Sequence, residues 1–83
     1  MGFICPVCGF DGLYELPYDE KGCGSYEICP CCGFQFGNDD FPDKKEQIYQ
    51  WRESWICNGY KWFSNSRKPP ENWNLKKQIK NIE

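Results

Sequence analysis

Two six-residue segments decide the fold of this chain: residues 5–10 read Cys-Pro-Val-Cys-Gly-Phe, and residues 29–34 read Cys-Pro-Cys-Cys-Gly-Phe. Twenty residues separate the two C-x-x-C pairs, a spacing typical of a zinc ribbon. In such a turn, or knuckle, proline presets φ after the first cysteine, and glycine lets the chain fold back around a metal. We therefore predict that Cys5, Cys8, Cys29 and Cys32 bind one metal ion.

Three further cysteines lie outside this set. Cys31 is an alternative ligand to Cys32, but it would leave a C-x-C spacing, and in register with the first segment it takes the place of Val7. Cys23 lies between two glycines, and we interpret it as an incidental loop cysteine, with a redox or second-metal role as the alternative. Cys57 falls near a predicted helix end, where packing is the more common role.

Length and composition limit the chemistry. The chain has 83 residues, seven cysteines and no histidine, and 18% of its residues are aromatic, which excludes general disorder. Without histidine there is no Ser-His or Cys-His pair. Four thiolates complete a tetrahedral zinc shell and leave no position for substrate. We expect one structural zinc, with iron as the alternative, and no enzymatic activity.

The cellular compartment follows from the same cysteines. Residues 1–4 run straight into Cys5 and leave no room for a signal peptide, no apolar run is long enough to span a membrane, and an odd cysteine count argues against complete disulfide pairing. We expect a cytoplasmic protein with reduced thiols and no membrane partner.

The remaining sequence predicts a small α+β fold. Residues 12–16 and 25–28 have the composition of short strands, so the ribbon is expected to consist of two knuckles and a β-hairpin. One longer helix and one short helix are expected to pack on it. We predict a single domain over residues 1–83, with the zinc ribbon in 1–40 and a helical, aromatic-rich extension in 41–83.

The longer helix is expected over roughly residues 43–57. Asp43 and Glu46 fit a capping box at its start, and Asn58-Gly59 is a strong stop signal. Its apolar positions, Ile48, Trp51, Trp55 and Ile56, recur at helical spacing and form one face.

The short helix begins at Asn74 and is expected to place Leu75, Ile79 and Ile82 on one face. We expect that face to pack, together with Trp62, Phe63 and Trp73, against one side of the ribbon.

Charge is divided unevenly along the chain. Residues 1–43 contain eight acidic and one basic residue, whereas residues 44–83 contain nine basic and four acidic residues. Four thiolates with one Zn²⁺ would add two further negative charges to the first part. An acidic ribbon is a poor surface for nucleic acid, since phosphates are held by clustered Lys and Arg.

Several segments of this chain resemble segments of a known group of proteins. Residues 26–32 (Tyr-Glu-Ile-Cys-Pro-Cys-Cys), residues 38–40 (Asn-Asp-Asp) and the first pair at 5–9 resemble small bacterial cysteine-rich proteins named after a CPCC motif, an uncharacterised zinc-ribbon family. The resemblance covers about residues 4–41, and the tail, including residues 68–73, is similar to tails of some members. It implies a metal site and no assigned activity, and proteins of this kind look like candidates for toxin–immunity loci.

Three functions are compatible with these features. The first is a non-enzymatic zinc module that binds a protein partner, such as a nuclease toxin that it neutralises, through Asp39, Asp40 and Asp43. The second is nucleic-acid binding by the basic, aromatic C-terminal half, for which the candidate residues are Lys68, Trp73, Lys76 and Lys77. The third is electron transfer, because the two knuckles are similar to those of rubredoxin, which holds iron with four cysteines.

Overall fold

The computed structural model describes residues 2–82, which contain two helices, α1 over Lys44–Cys57 and α2 over Leu75–Lys80. Extended segments among these residues pair only through isolated antiparallel bridges. The bridges join Phe3 with Leu13, Tyr18 with Gly24, and Ile28 with Gln35.

The two cysteine segments form the same turn. In the first knuckle the Cys5 N–H donates to the Phe10 carbonyl at 2.8 Å, and the Gly9 N–H donates to the Cys5 carbonyl at 2.9 Å. In the second knuckle, Cys29 N–H to Phe34 and Gly33 N–H to Cys29 repeat these bonds at 3.0 and 2.8 Å. Both glycines have φ in the left-handed region, +85° and +83°, which explains their place in the motif.

The segments between the knuckles differ from the predicted hairpin. Leu13 bridges back to Phe3 of its own knuckle, and Ile28 bridges forward to Gln35 of the other. The two predicted arms meet instead through one side chain, because the Glu27 carboxylate accepts the backbone N–H groups of Tyr14 (2.9 Å) and Glu15 (3.0 Å). Because each knuckle turns the chain back on itself, Leu13 and Ile28 each pair with a residue on the other side of the knuckle that they flank.

Helix α1 agrees with the predicted range of about 43–57. The Asp43 side chain accepts from the Glu46 N–H at 3.3 Å, and Asn58 caps the other end, followed by Gly59 with φ +87°. Trp55 is buried on this helix, and the other three predicted apolar positions are partly buried against the core. Residue type and spacing therefore predict both caps and the apolar face of α1.

One core is shared by the ribbon and the extension. It contains five buried cysteines together with Val7, Phe10, Leu13, Phe34, Phe36 and Trp55. Aromatic pairs join the two parts edge to face, with ring centroids 5.4 Å apart for Phe34 and Trp51 and 5.3 Å apart for Phe10 and Trp62. The extension is thus part of the packing around the sulfur atoms.

Helix α2 buries a different residue from those expected. Its cap is as predicted, since the Asn74 side chain accepts from the Lys77 N–H at 3.2 Å. The residue buried in this helix is Gln78, which is 6% exposed, whereas Leu75 and Ile79 are only partly buried. A polar side chain takes the innermost position because hydrogen-bond acceptors of the knuckles lie there.

No helix in residues 2–82 has both the length and the apolar character required to cross a bilayer.

Replacing Asp43 by alanine removes the side-chain acceptor for the first turn of α1. We expect the free energy of unfolding of the metal-loaded protein to fall by about 1 kcal/mol, measured by urea denaturation. Glu53→Ala is the matched control, since Glu53 is an exposed acid within the same helix. Equal unfolding midpoints for the two variants would show that the cap contributes nothing.

Candidate metal centre

The Sγ atoms of Cys5, Cys8, Cys29 and Cys32 all lie within 4.8 Å of one another. Cys5 and Cys32 are 3.8 Å apart at sulfur, and Cys8 and Cys29 are 3.7 Å apart. A Zn–S bond of about 2.3 Å in a tetrahedron requires sulfur atoms about 3.8 Å apart, so the cluster matches a four-thiolate metal shell. The same donor set and geometry suit iron as well as zinc.

All four sulfur-bearing residues are buried. Three have no exposed surface, and Cys32 is 6% exposed. The arrangement is a closed site: four thiolates would complete the tetrahedron, and the packed aromatic rings around it exclude water. A site of this type holds the chain together and has no coordination position for a substrate.

The four groups influence one another's protonation. Hydrogen bonds from Cys32, Cys5 and Cys8 lower the pKa of Cys29, whereas hydrogen bonding to Cys29 raises the pKa of Cys8 and burial raises that of Cys32. The protonation of Cys8, Cys29 and Cys32 is therefore interdependent. Metal binding must displace the thiol protons, which makes it dependent on pH.

The backbone of each knuckle directs carbonyl groups away from the sulfur atoms. In the first knuckle the Arg52 guanidinium binds two of them, with Nε 2.7 Å from the Val7 oxygen and Nη2 2.8 Å from the Pro6 oxygen. Arg52 lies on α1, so this helix supplies donors to the ribbon as well as an apolar face.

In the second knuckle the equivalent carbonyls belong to Pro30 and Cys31. They accept from backbone groups instead: the Phe63 N–H lies 3.0 Å from the Cys31 oxygen, and the Ser64 N–H lies 2.9 Å from the Pro30 oxygen. The same two positions of both knuckles are thus satisfied by the C-terminal half.

The carbonyls of two predicted ligands are also equivalent, and both are bound. The indole N–H of Trp51 donates to the Cys32 oxygen at 2.9 Å, and the Gln78 side-chain amide donates to the Cys8 oxygen at 3.0 Å. Gln78 Nε2 also lies 3.3 Å from the sulfur of Cys31, and its Oε1 accepts from the Trp73 indole. Gln78 therefore links α2, the first knuckle and the fifth buried cysteine.

The three cysteines outside the cluster differ from one another. All seven thiols are free of disulfides. Cys31 is fully buried at the position equivalent to Val7, whereas Cys23 and Cys57 are exposed. The expected packing role of Cys57 is therefore wrong, because this last residue of α1 is exposed.

The acidic residues proposed as a contact surface lie in different environments. Asp40 is only 7% exposed and accepts from the Tyr18 hydroxyl at 2.7 Å and the Gly37 N–H at 2.8 Å. Burial, followed by this hydrogen bond, raises the pKa of Tyr18. Asp39 accepts from the Gln35 N–H at 2.9 Å, and Asp43 caps α1. The prediction of Asp40 as a contact residue is corrected, because its carboxylate is used within the fold.

The basic candidates divide in the same way. Lys68, Lys76 and Lys77 are exposed. Trp73 is half-buried, with its ring edge to face with Trp62 at 5.2 Å and its N–H bound to Gln78 at 2.6 Å. Trp73 therefore packs within the extension, and part of its side chain lines a cavity together with Lys77.

Comparison with known proteins identifies two related proteins, both from Bacillus subtilis strain 168. The uncharacterized protein YoaQ is 31% identical, over an alignment covering 69% of this chain and 59% of that protein. The uncharacterized protein YozI is 30% identical, with 71% of this chain and 60% of that protein covered. The chain thus spans about three fifths of the length of these relatives. No protein-family model and no solved structure matches it.

Replacing Gln78 by leucine leaves the Cys8 carbonyl and the Trp73 indole without partners. We expect a loss of about 1–3 kcal/mol in the free energy of unfolding, because each buried polar group then loses its hydrogen bond. Urea denaturation followed by tryptophan fluorescence measures it, and metal release to a chelator should become faster. Lys77→Gln, on the exposed side of α2, is the control, and equal stability of the two variants would contradict the linking role of Gln78.

Proposed function

We propose that this chain is a zinc ribbon held together by one structural Zn²⁺, non-enzymatic, whose function is to bind a protein partner. The observation that carries the proposal is the buried four-sulfur cluster, with sulfur atoms 3.7 and 3.8 Å apart. A bound ion would cross-link the two knuckles. Cys5, Cys8, Cys29 and Cys32 would hold it.

The size of the chain supports a structural role for the metal. The core of a chain of 83 residues supplies only a few kcal/mol of stability. Structural zinc sites contribute about 10–16 kcal/mol of apparent binding energy. The interior of this core is occupied by the cysteines themselves, since five of its eleven members are cysteine. A metal ion bound to four of these cysteines would therefore cross-link the centre of the core.

A protein partner fits the charge distribution better than nucleic acid. Residues 1–43 carry seven more acidic than basic residues, and a zinc tetrathiolate would add two negative charges. Two of the nine basic residues in the C-terminal half, Arg52 and Arg67, donate to backbone carbonyls of residues 6, 7 and 12. We propose that the partner is a basic protein, and that neutralising a nuclease toxin in the cytoplasm is a function of this type.

Removing the metal should unfold the ribbon. We expect one metal ion per chain by native mass spectrometry, and loss of the dispersed NMR spectrum after chelation, because the ion is what would bind the four sulfur atoms to one another. Serine variants at the four cluster positions should lose the ion, whereas Cys23→Ser and Cys57→Ser should keep it. A folded apoprotein would contradict the structural role, and a red protein with iron from cells supplied with both metals would favour electron transfer.

Binding to protein should be salt-dependent. A tagged, metal-loaded chain is expected to retain a basic protein from a bacterial lysate at low salt and to release it as salt rises, since the attraction is electrostatic. Recovery of no partner at any salt concentration would contradict the proposal. A gel shift of single-stranded or duplex oligonucleotides at micromolar protein would support the nucleic-acid alternative instead.

A further inference from the structure

A groove lies on the side of the ribbon formed by the loop around Cys23 and the segment that leads into α1. It encloses a cavity of about 470 Å³. Two aromatic rings line it, those of Tyr26 and Phe41, which are 64% and 71% exposed. Both rings are therefore accessible to another molecule at one site.

The floor of the groove is backbone. Gly24 lies against the backbone of Phe36 and Gly37. A side chain at Gly37 would lie 3.3 Å from the Tyr26 ring and would crowd it. The groove is therefore shaped by close approach of main chain, and an extended chain can lie along it.

Tyr26 adopts a backbone conformation that its side chain disfavours. Its φ is +64°, a left-handed value that is a genuine outlier for a bulky residue. Two hydrogen bonds hold it there: its N–H donates to the Phe36 carbonyl at 2.8 Å, and its carbonyl accepts from the Gln35 side chain at 3.1 Å. In this conformation the Tyr26 ring lines the groove, whereas the ring of Tyr60, the other described non-glycine residue with positive φ, packs against Trp55.

The surroundings of the groove are acidic. The segments that form it, residues 19–24 and 37–44, contain five acidic and two basic residues, and four of the acidic residues remain when the buried Asp40, whose carboxylate is bound within the fold, is left out. One of the two, Lys44, has its Nζ 4.2 Å from the centroid of the Tyr18 ring, so part of its charge is held against an aromatic face. The neighbouring metal site would add two negative charges, and the field at the groove attracts cations.

We propose that this groove binds an extended, positively charged segment of a partner protein, with an aliphatic or proline side chain between the rings of Tyr26 and Phe41 and flanking Lys or Arg residues over the acidic rim. Aromatic-lined grooves bind extended proline-containing segments in this way. The inference rests on the proposed protein-binding function and specifies the surface and the chemistry of the partner.

The test is an NMR titration of the ¹⁵N-labelled, metal-loaded chain with three synthetic peptides. A Lys-Pro-Leu-Pro-Lys peptide is expected to shift the amide signals of Gly22, Gly24 and Gly37. A Glu-Pro-Leu-Pro-Glu peptide tests charge, and a Lys-Ser-Gly-Ser-Lys peptide tests the apolar contact. Both should bind at least about tenfold more weakly, which corresponds to about 1.4 kcal/mol.

Two variants separate binding from folding. Phe41→Ser removes one ring, and Tyr26→Gly removes the other while giving the backbone a residue that favours positive φ. Both should lose peptide binding at least about tenfold, and Tyr26→Gly should do so without lowering the urea midpoint. Tyr49→Ser, an equally exposed aromatic position on α1 outside the groove, should bind as the parent does.

Several results would overturn the inference. The peptides could cause no shift, or shifts only on other surfaces, or Tyr26→Gly could bind them as tightly as the parent does. A single-stranded oligonucleotide that shifts the same amide signals would also contradict it, as would self-association that protects those amides. If Phe41→Ser still retained a basic protein from lysate, the protein-binding function would stand and the groove assignment would fail. If neither peptide nor lysate protein bound the parent chain, both would fail.

Discussion

The structure depends on the direction of the peptide groups around four buried sulfur atoms. A knuckle turns some backbone N–H groups towards the metal position, as the Val7 N–H does towards the Cys5 sulfur at 3.4 Å, and so turns carbonyls outward. In a chain this small those carbonyls are covered by the rest of the protein and must find donors. The C-terminal half is therefore required to supply hydrogen bonds as well as apolar surface, and this requirement fixes which of its residues face the ribbon.

The two knuckles show how different sequences meet one requirement. Their carbonyls at equivalent positions are bound by a guanidinium in one case and by two backbone N–H groups in the other, and the ligand carbonyls by an amide and an indole. The two copies of the repeat thus form the same backbone turn, but different groups donate hydrogen bonds to their carbonyls. Because α1 contacts both knuckles through Trp51 and Arg52, neighbouring residues in one helical turn, the helix and the metal position are coupled mechanically.

The parts of the fold that follow local rules could be predicted from the sequence. The metal cluster was found from spacing, and the ends of α1 from Asp43 and Asn58-Gly59, because caps act within a few residues. The roles of Arg52 and Gln78 could not be found this way. Helical periodicity treats a polar residue as solvent-facing, yet both donate to carbonyls more than forty positions away. Strand composition also does not identify the pairing partner: the antiparallel bridge between the two predicted segments joins Tyr18 with Gly24 in their connection, and Glu27 joins the segments themselves through its side chain.

Charged residues that form hydrogen bonds within the chain must likewise be distinguished from those that a partner can contact. Asp40, Arg52 and Arg67 are charged residues whose hydrogen bonds lie within the chain, so counting them as a surface overstates what another molecule meets. Trp73, similarly, uses its N–H on Gln78. What remains accessible on the ribbon is an acidic rim and aromatic rings outside the core, and around the groove the backbone is strained to present Tyr26 outward. Tyr26 and Phe41 are two of several aromatic side chains that lie outside the core, and the left-handed conformation of Tyr26 is held by hydrogen bonds to Phe36 and Gln35.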